Sequence, residues 1–159
     1  MEQFTIRFAE EKDTALVVQF IRDLAEYEHM SGEVAATEEL LHESLFVTSV
    51  AEAIIGEEDG TPVAFALFFK NFSTFLGRPG LYLEDIFVRE SYRSKGYGTA
   101  IFRFLAALAA ERRYGRMEWA CLDWNEPSIA FYKKMGARPM DTWTVYRLDA
   151  DGIKAFIAE

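Results

Sequence analysis

The stretch "LYLEDIFVRESYRSKGYGTAIF", residues 81–102, joins three different local patterns within 22 residues. The first is an apolar strand, Gly80 to Val88, with two adjacent acids inside it. Then comes a loop holding Arg93, Ser94, Lys95, Gly96, Tyr97, Gly98 and Thr99. The third is a helical run from Gly98 to about Arg113, in which Ile101, Leu105, Leu108 and Arg112 share one face and which Gly115 stops. A strand, a glycine-containing loop and a long helix in this order aim several amides at one place in front of a helix N-terminus. The helix dipole adds partial positive charge there, and Arg93 and Lys95 add full charges. Such a loop is suited to a pyrophosphate. A nucleotide P-loop is excluded because Lys95 precedes its glycine instead of following it. A dinucleotide fingerprint is excluded because Ile101 stands where a third small residue is needed. An ordinary glycine-containing helix start with solvated cations is the alternative on the loop alone.

Outward from this stretch, the chain alternates strands and helices. "QFTIRF" places Phe4, Ile6 and Phe8 on one face of a first strand. Asp13 then caps a helix carrying Leu16, Val17, Phe20, Ile21 and Leu24 at helical spacing and ending before Gly32. Thr37 opens a shorter helix to about Leu45. "AEAIIGEEDGTPVAFALFFKNF" from Ala51 is strand, turn, strand, with Asp59-Gly60 at the turn. After the long helix, "MEWACLDW" (Met117–Trp124) is expected to be a strand. "NEPSIAFYKKMG" is expected to be a short helix with Asn125 as cap, Pro127 in its first turn and Gly136 just past its end. "DTWTVYRLD" (Asp141–Asp149) is expected to be a last strand, and residues 152–158 a closing helix. Three consecutive strands imply antiparallel pairing, and the later strand–helix–strand order implies a parallel crossover. The fold class is therefore α/β with a mixed sheet, in one domain spanning residues 1–159.

Bulk properties narrow the function. Half of the 159 residues are hydrophobic and the net charge is -9. That charge argues against nucleic acid, whose backbone needs neutralising cations. The single cysteine, Cys121, allows no internal disulfide and is read as an inert thiol in a buried strand. His29 and His42 have no ligand-like neighbours at close spacing, so no metal site is expected. The first ten residues do not have the layout of a signal peptide, and no apolar run approaches membrane-spanning length. A soluble, cytoplasmic protein with no membrane partner is the expectation.

Two further features bear on chemistry. Carboxylates are rarely placed inside an apolar strand, yet Glu84 and Asp85 sit together in one. On a regular strand they face opposite sides, so one of them lines a cleft, or both if a bulge intervenes; the alternative is a satisfied edge-strand charge. Tyr132 lies one turn beyond Ser128 and Ile129 on the short capped helix, which makes it either a reactive phenol or an amphipathic packing residue.

Taken together, "LAEYEHM", "LYLEDIFV", "YRSKGYG" and "WNEPSIAFYKKMGA" resemble the GNAT acetyltransferases, and within them the diamine (spermidine/spermine) and thialysine N-acetyltransferases. Arg93–Gly98 resembles the Arg/Gln-x-x-Gly-x-Gly/Ala motif of that superfamily, and the similarity runs over nearly the whole chain. The resemblance implies the GNAT fold, a mixed central sheet whose parallel strands splay apart, with flanking helices. It implies acetyl transfer from acetyl-CoA to a primary amine, in a homodimer, with no metal. On this resemblance Ile86, Phe87 and Val88 hold the pantetheine arm. The loop Arg93, Ser94, Lys95, Gly96, Tyr97, Gly98 and Thr99 holds the pyrophosphate, and Asn125, Ser128 and Lys133 complete the cofactor site. Tyr132 matches the general acid and Glu84 the acceptor of the amine's proton. Tyr27 and Glu28, with Glu84 and Asp85, match the amine-binding residues. The polyamine enzymes carry an acid and a proline where this chain has Ser73 and Thr74, and Tyr146 replaces a tryptophan. Short amines and lysine analogues are therefore expected ahead of spermine. The alternatives are a protein lysine or N-terminal acetyltransferase, and a CoA-binding protein without turnover.

Overall fold

Five strands form one sheet in the order β1-β2-β3-β4-β5: β1 (Phe4–Phe8), β2 (Glu52–Glu58), β3 (Thr61–Ser73), β4 (Arg78–Val88) and β5 (Met117–Trp119). The computed structural model describes all residues, 1–159. The first three junctions are antiparallel and the β4–β5 junction is parallel, as the element order implies. The tight β2–β3 turn works because Asp59 and Gly60 both adopt positive φ, 50° and 84°, the twist that a two-residue hairpin requires. The chain forms two compact units, Met1–Ala120 and Cys121–Glu159, and the whole sheet lies in the first.

Helix α1 (Thr14–Tyr27) buries Val17, Phe20 and Leu24, which its spacing places on one face. They meet Ile55, Phe65, Leu67 and Phe87 of the sheet in one apolar cluster. Phe20 stacks on Phe65 with ring centroids 5.0 Å apart. Each such side chain, withdrawn from water, contributes about 1.5–3 kcal/mol. The short α2 (Glu38–His42) begins at Thr37, whose hydroxyl accepts from the Leu40 amide at 3.2 Å, and continues as a π-turn through Val47. The long helix α3 (Tyr97–Glu111) packs on β4 and β1 and buries Ile101, Phe102 and Leu105.

Asp13 stands at the α1 N-cap, but its carboxylate does not make the expected capping bond. It accepts from both terminal nitrogens of Arg7, at 2.7 and 2.9 Å, and from the Glu10 amide at 2.7 Å. Arg7 also donates from Nε to Glu57 at 2.8 Å. One guanidinium on β1 thus ties the start of α1 to β2.

The second unit holds α4 (Glu126–Lys134) and α5 (Ala150–Ile157). Two expectations are corrected here. "MEWACLDW" is a strand only over Met117–Trp119, because its pairing with β4 ends at Leu83↔Trp119. Cys121 accordingly lies beyond the strand and is only half-buried. "DTWTVYRLD" forms no strand at all. Its alternation of side chains describes two faces, but a strand also needs a neighbouring backbone, and no strand of the sheet pairs with it. Trp143, Val145 and Tyr146 are 74%, 86% and 92% exposed. The closing helix starts at Ala150, slightly earlier than expected, because Asp149 caps it by accepting from the Gly152 amide at 2.7 Å.

The Arg7 guanidinium holds the Asp13 carboxyl below the usual carboxylate range. A depressed folded-state pKa adds stability at pH above the unfolded value, and the stability is lost as pH falls through the folded value. Asp13→Asn is expected to cost about 2–3 kcal/mol at neutral pH, with the gap to the parent closing in strong acid. Urea unfolding at several pH values measures it.

Candidate active site

Two irregularities of β4 fall at the same place. Its parallel pairing to β5 covers only Leu81, Tyr82 and Leu83, and it ends at Leu83↔Trp119. On its other side, β3 matches Leu67 to Asp85 and Phe68 to Leu83, so Glu84 is an extra residue that β3 does not oppose. A bulge of this kind puts two residues of one strand opposite one of its neighbour and re-aims their side chains. A bulge, the case in which both acids can line one cleft, is therefore present. From Asp85 to Val88 the strand is held by β3 alone, and the edge that would face β5 has no strand on it.

The acids at the break interact. Asp85 is half-buried and its pKa is pushed up to about 7, first by burial, then by the charges of Glu84 and Glu28. Glu28 is the C-cap of α1, and burial pushes its carboxyl up as well. Glu84 itself is exposed. Tyr82 is raised by burial and then by Glu84 and Glu118. One residue at the end of α1 and two of β4 thus bring three carboxylates together, a setting that favours a cation and can hold a proton near neutral pH.

The loop after β4 leads into the N-terminus of α3. Ser94 and Gly96 take positive φ, 65° and 85°, and Gly96 is the N-cap of α3. No side chain caps the start of α3. Gly98 is the informative glycine. It lies within the helix without a positive φ, and a Cβ there would meet no atom within 4 Å. Glycine in a helix costs about 1 kcal/mol relative to alanine, and nothing inside the protein requires it here. The open space fits a group approaching from outside.

The two loop cations do not stand free for that group. Lys95 Nζ lies 2.9 Å from both Glu2 and Glu58. The Tyr97 hydroxyl donates to the same Glu58, which pushes the phenol up to about 12. The Tyr97 ring stacks on Phe4 with centroids 4.0 Å apart. Arg93 donates from Nε to the Val88 carbonyl at 2.8 Å, and its guanidinium lies over the rings of Tyr27 and Phe87. Backbone amides and the helix terminus are the parts of the loop left for an anion.

In the second unit, Asn125 is buried and accepts from the Ser128 amide at 3.4 Å, capping α4 as expected. Tyr132 is half-buried beside Phe131, ring centroids 5.7 Å apart, and Lys133 is exposed in the last turn. Back in the first unit, Ser73 is buried, with its hydroxyl accepting from the Leu76 amide at 3.2 Å, so it closes the β3–β4 turn. Sequence reasoning missed Glu2 and Glu58 as anchors of the loop. They lie 93 and 37 residues from Lys95, and no local pattern marks them. No group of three or more His, Cys, Asp and Glu side chains is arranged to hold a metal ion, and no helix is long and apolar enough to cross a membrane.

Comparison with known proteins shows the family. The profile of the acetyltransferase (GNAT) family matches residues 17–137. A thialysine N-epsilon-acetyltransferase from Sus scrofa is 34% identical over 97% of this chain and 97% of its own length. An L-ornithine N5-acetyltransferase from Arabidopsis thaliana is 42% identical over 61% of this chain, and the match spans 42% of that protein. An integron cassette protein from V. cholerae superposes with a TM-score of 0.81 over 98% of both chains at 24% identity, a likeness of fold. The family profile and the near-full-length relatives make this chain an acyltransferase. The chain belongs to the GNAT acetyltransferase family.

The raised Asp85 has a stability consequence of opposite sign to that of Asp13. Its charged form is disfavoured in the folded state, so the fold loses stability as pH rises from the unfolded value of about 4 toward about 7. Asp85→Asn is therefore expected to raise the melting temperature by several degrees at about pH 8 and to change it little at about pH 4. Thermal unfolding at the two pH values checks this.

Proposed function

We propose that the chain is an acetyl-CoA-dependent N-acetyltransferase that acts on a primary amine of a small molecule, by direct transfer in a ternary complex. The coincidence of the open β4 edge, the acid cluster and the amide-lined loop carries this assignment. The match of the family profile across residues 17–137, which includes parts of both units, supports a single catalytic domain over residues 1–159. The activities for which the relatives are named, on thialysine and on ornithine, support a short amine or lysine analogue.

When bound, acetyl-CoA supplies the activated acetyl thioester. Ile86, Phe87 and Val88, on the open edge, offer backbone groups to its pantetheine arm, and the amides of Ser94 to Thr99 receive its pyrophosphate. Asn125, Ser128 and Lys133 are assigned to the cofactor by resemblance. An ammonium with a pKa of about 10.4 must lose a proton before it can attack. Glu84 takes that proton, directly or through water, while Tyr27, Glu28 and Asp85 hold the amine. Tyr132 returns a proton to the leaving thiolate. The three carboxylates favour a free cation over a peptide backbone. A homodimer is part of the same proposal, supported by the resemblance and by the exposed apolar residues Trp143, Tyr146 and Phe156.

Acetyl-CoA turnover with putrescine, spermidine, spermine, lysine and thialysine tests the assignment. Short amines and lysine analogues are expected to give higher kcat/KM than spermine. Gly98→Val is expected to stay folded and to weaken CoA binding, because its side chain fills the space in front of the loop. No turnover with any amine, or acetylation of protein lysines alone, would replace the proposal.

Tyr132→Phe keeps the ring and removes the proton. Its kcat is expected to fall by about 10²–10⁴-fold with little change in CoA affinity. Near-parental turnover would make the tyrosine a packing residue.

A further inference from the structure

Arg93 opens the amide-lined loop, yet its side chain points its chemistry back into the protein. Nε donates to the Val88 carbonyl at 2.8 Å, on the open end of β4. The guanidinium carbon lies 4.8 Å from the Tyr27 ring centroid and 5.2 Å from that of Phe87. Tyr27 is the last residue of α1, and Glu28, the next, is one of the three clustered carboxylates. Phe87 follows Asp85 closely on β4. The guanidinium therefore touches the strand edge assigned to the pantetheine arm and the helix end assigned to the amine. Neither Glu28 nor Asp85 owes its shift to the charge of Arg93. The link runs through the rings and the carbonyl.

We infer that Arg93 is a positioning residue for the amine half of the site, clamping Tyr27 and the C-terminal end of α1 to β4. The inference rests on the acetyl-CoA assignment proposed above. An arginine suits the task because its planar, always-charged fork can stack on two rings while one N–H stays fixed to a carbonyl. Lysine keeps the charge but has neither the plane nor the Nε donor. A pyrophosphate held by the neighbouring amides would further restrain the Arg93 backbone, and with it the clamp that is already formed. By linkage, the amine and the cofactor would then strengthen each other's binding.

The test compares the parent with Arg93→Gln, Arg93→Lys, Tyr27→Leu and the Arg93→Gln/Tyr27→Leu double variant. CoA affinity is measured by calorimetry, amine KM at saturating acetyl-CoA, and hydrogen exchange of the Glu28, His29 and Met30 amides with and without CoA. Those amides donate to Leu24, Glu26 and Ala25 at the end of α1. Arg93→Gln is expected to raise amine KM about 2- to 30-fold, the range for loss of a cation–ring contact, with CoA affinity within about 3-fold of the parent. Arg93→Lys is expected to recover part of the loss. In the Tyr27→Leu background, Arg93→Gln is expected to change amine KM less than about 2-fold, because the two side chains act as one unit. CoA is expected to slow exchange at the α1 end in the parent and not in Arg93→Gln. If CoA affinity falls while amine KM and α1 protection do not move, Arg93 is a phosphate ligand and the inference is overturned. If the parent binds no CoA, the proposed function fails and takes this inference with it. If the parent binds CoA and Arg93→Gln retains full protection at the α1 end, the inference alone fails.

Discussion

The break in β4 at Leu83 and Glu84 is the constraint on which the remainder of the site depends. A strand in a sheet interior normally has both edges of its backbone occupied. Here β5 stops pairing at Leu83, and in the next residue β3 skips Glu84. The first event leaves the backbone of Glu84 to Val88 open on one side. The second turns two consecutive carboxylates out of strict alternation. The proposed chemistry needs both, since the acids are assigned to the amine and the open edge to the acyl donor.

The rest of the fold holds this irregular strand in place. Phe87 enters the apolar cluster beneath α1, so the end of β4 is anchored by packing even where it has no β5 neighbour. Arg7 and Asp13 fix the start of α1 to β1 and β2, and Arg93 meets its end at Tyr27. The helix that leads into Glu28 is thus tied down at both ends, which fixes the carboxylate cluster despite the mutual repulsion of its charges.

The electrostatics follow a related division. The protein carries a net charge of -9, yet its loop is the part proposed to receive an anion. Lys95 directs its charge to Glu2 and Glu58, and Arg93 to two rings. Those contacts fix the loop's shape, while the amides and the α3 terminus provide the attraction. Fixed dipoles suit this task because they need no counter-ion and do not reorganise when the ligand arrives.

Much of this is legible in the sequence, for local reasons. Helix α3, its glycine loop, the β2–β3 turn and the caps at Thr37 and Asn125 are set by periodicity, by φ preferences and by side chains that reach only a few residues. The adjacency of Glu84 and Asp85 is visible as an anomaly, but whether they share a face depends on how many residues β3 opposes to them. The strands expected at "MEWACLDW" and "DTWTVYRLD" are overdrawn for the same reason. Alternation sets which side chains share a face, while a strand also requires a backbone beside it. Tertiary structure decided the partners of Lys95, Tyr97 and Arg93 and the rise of Asp85 toward neutrality, because charge and ring contacts act through space between residues that no sequence spacing relates.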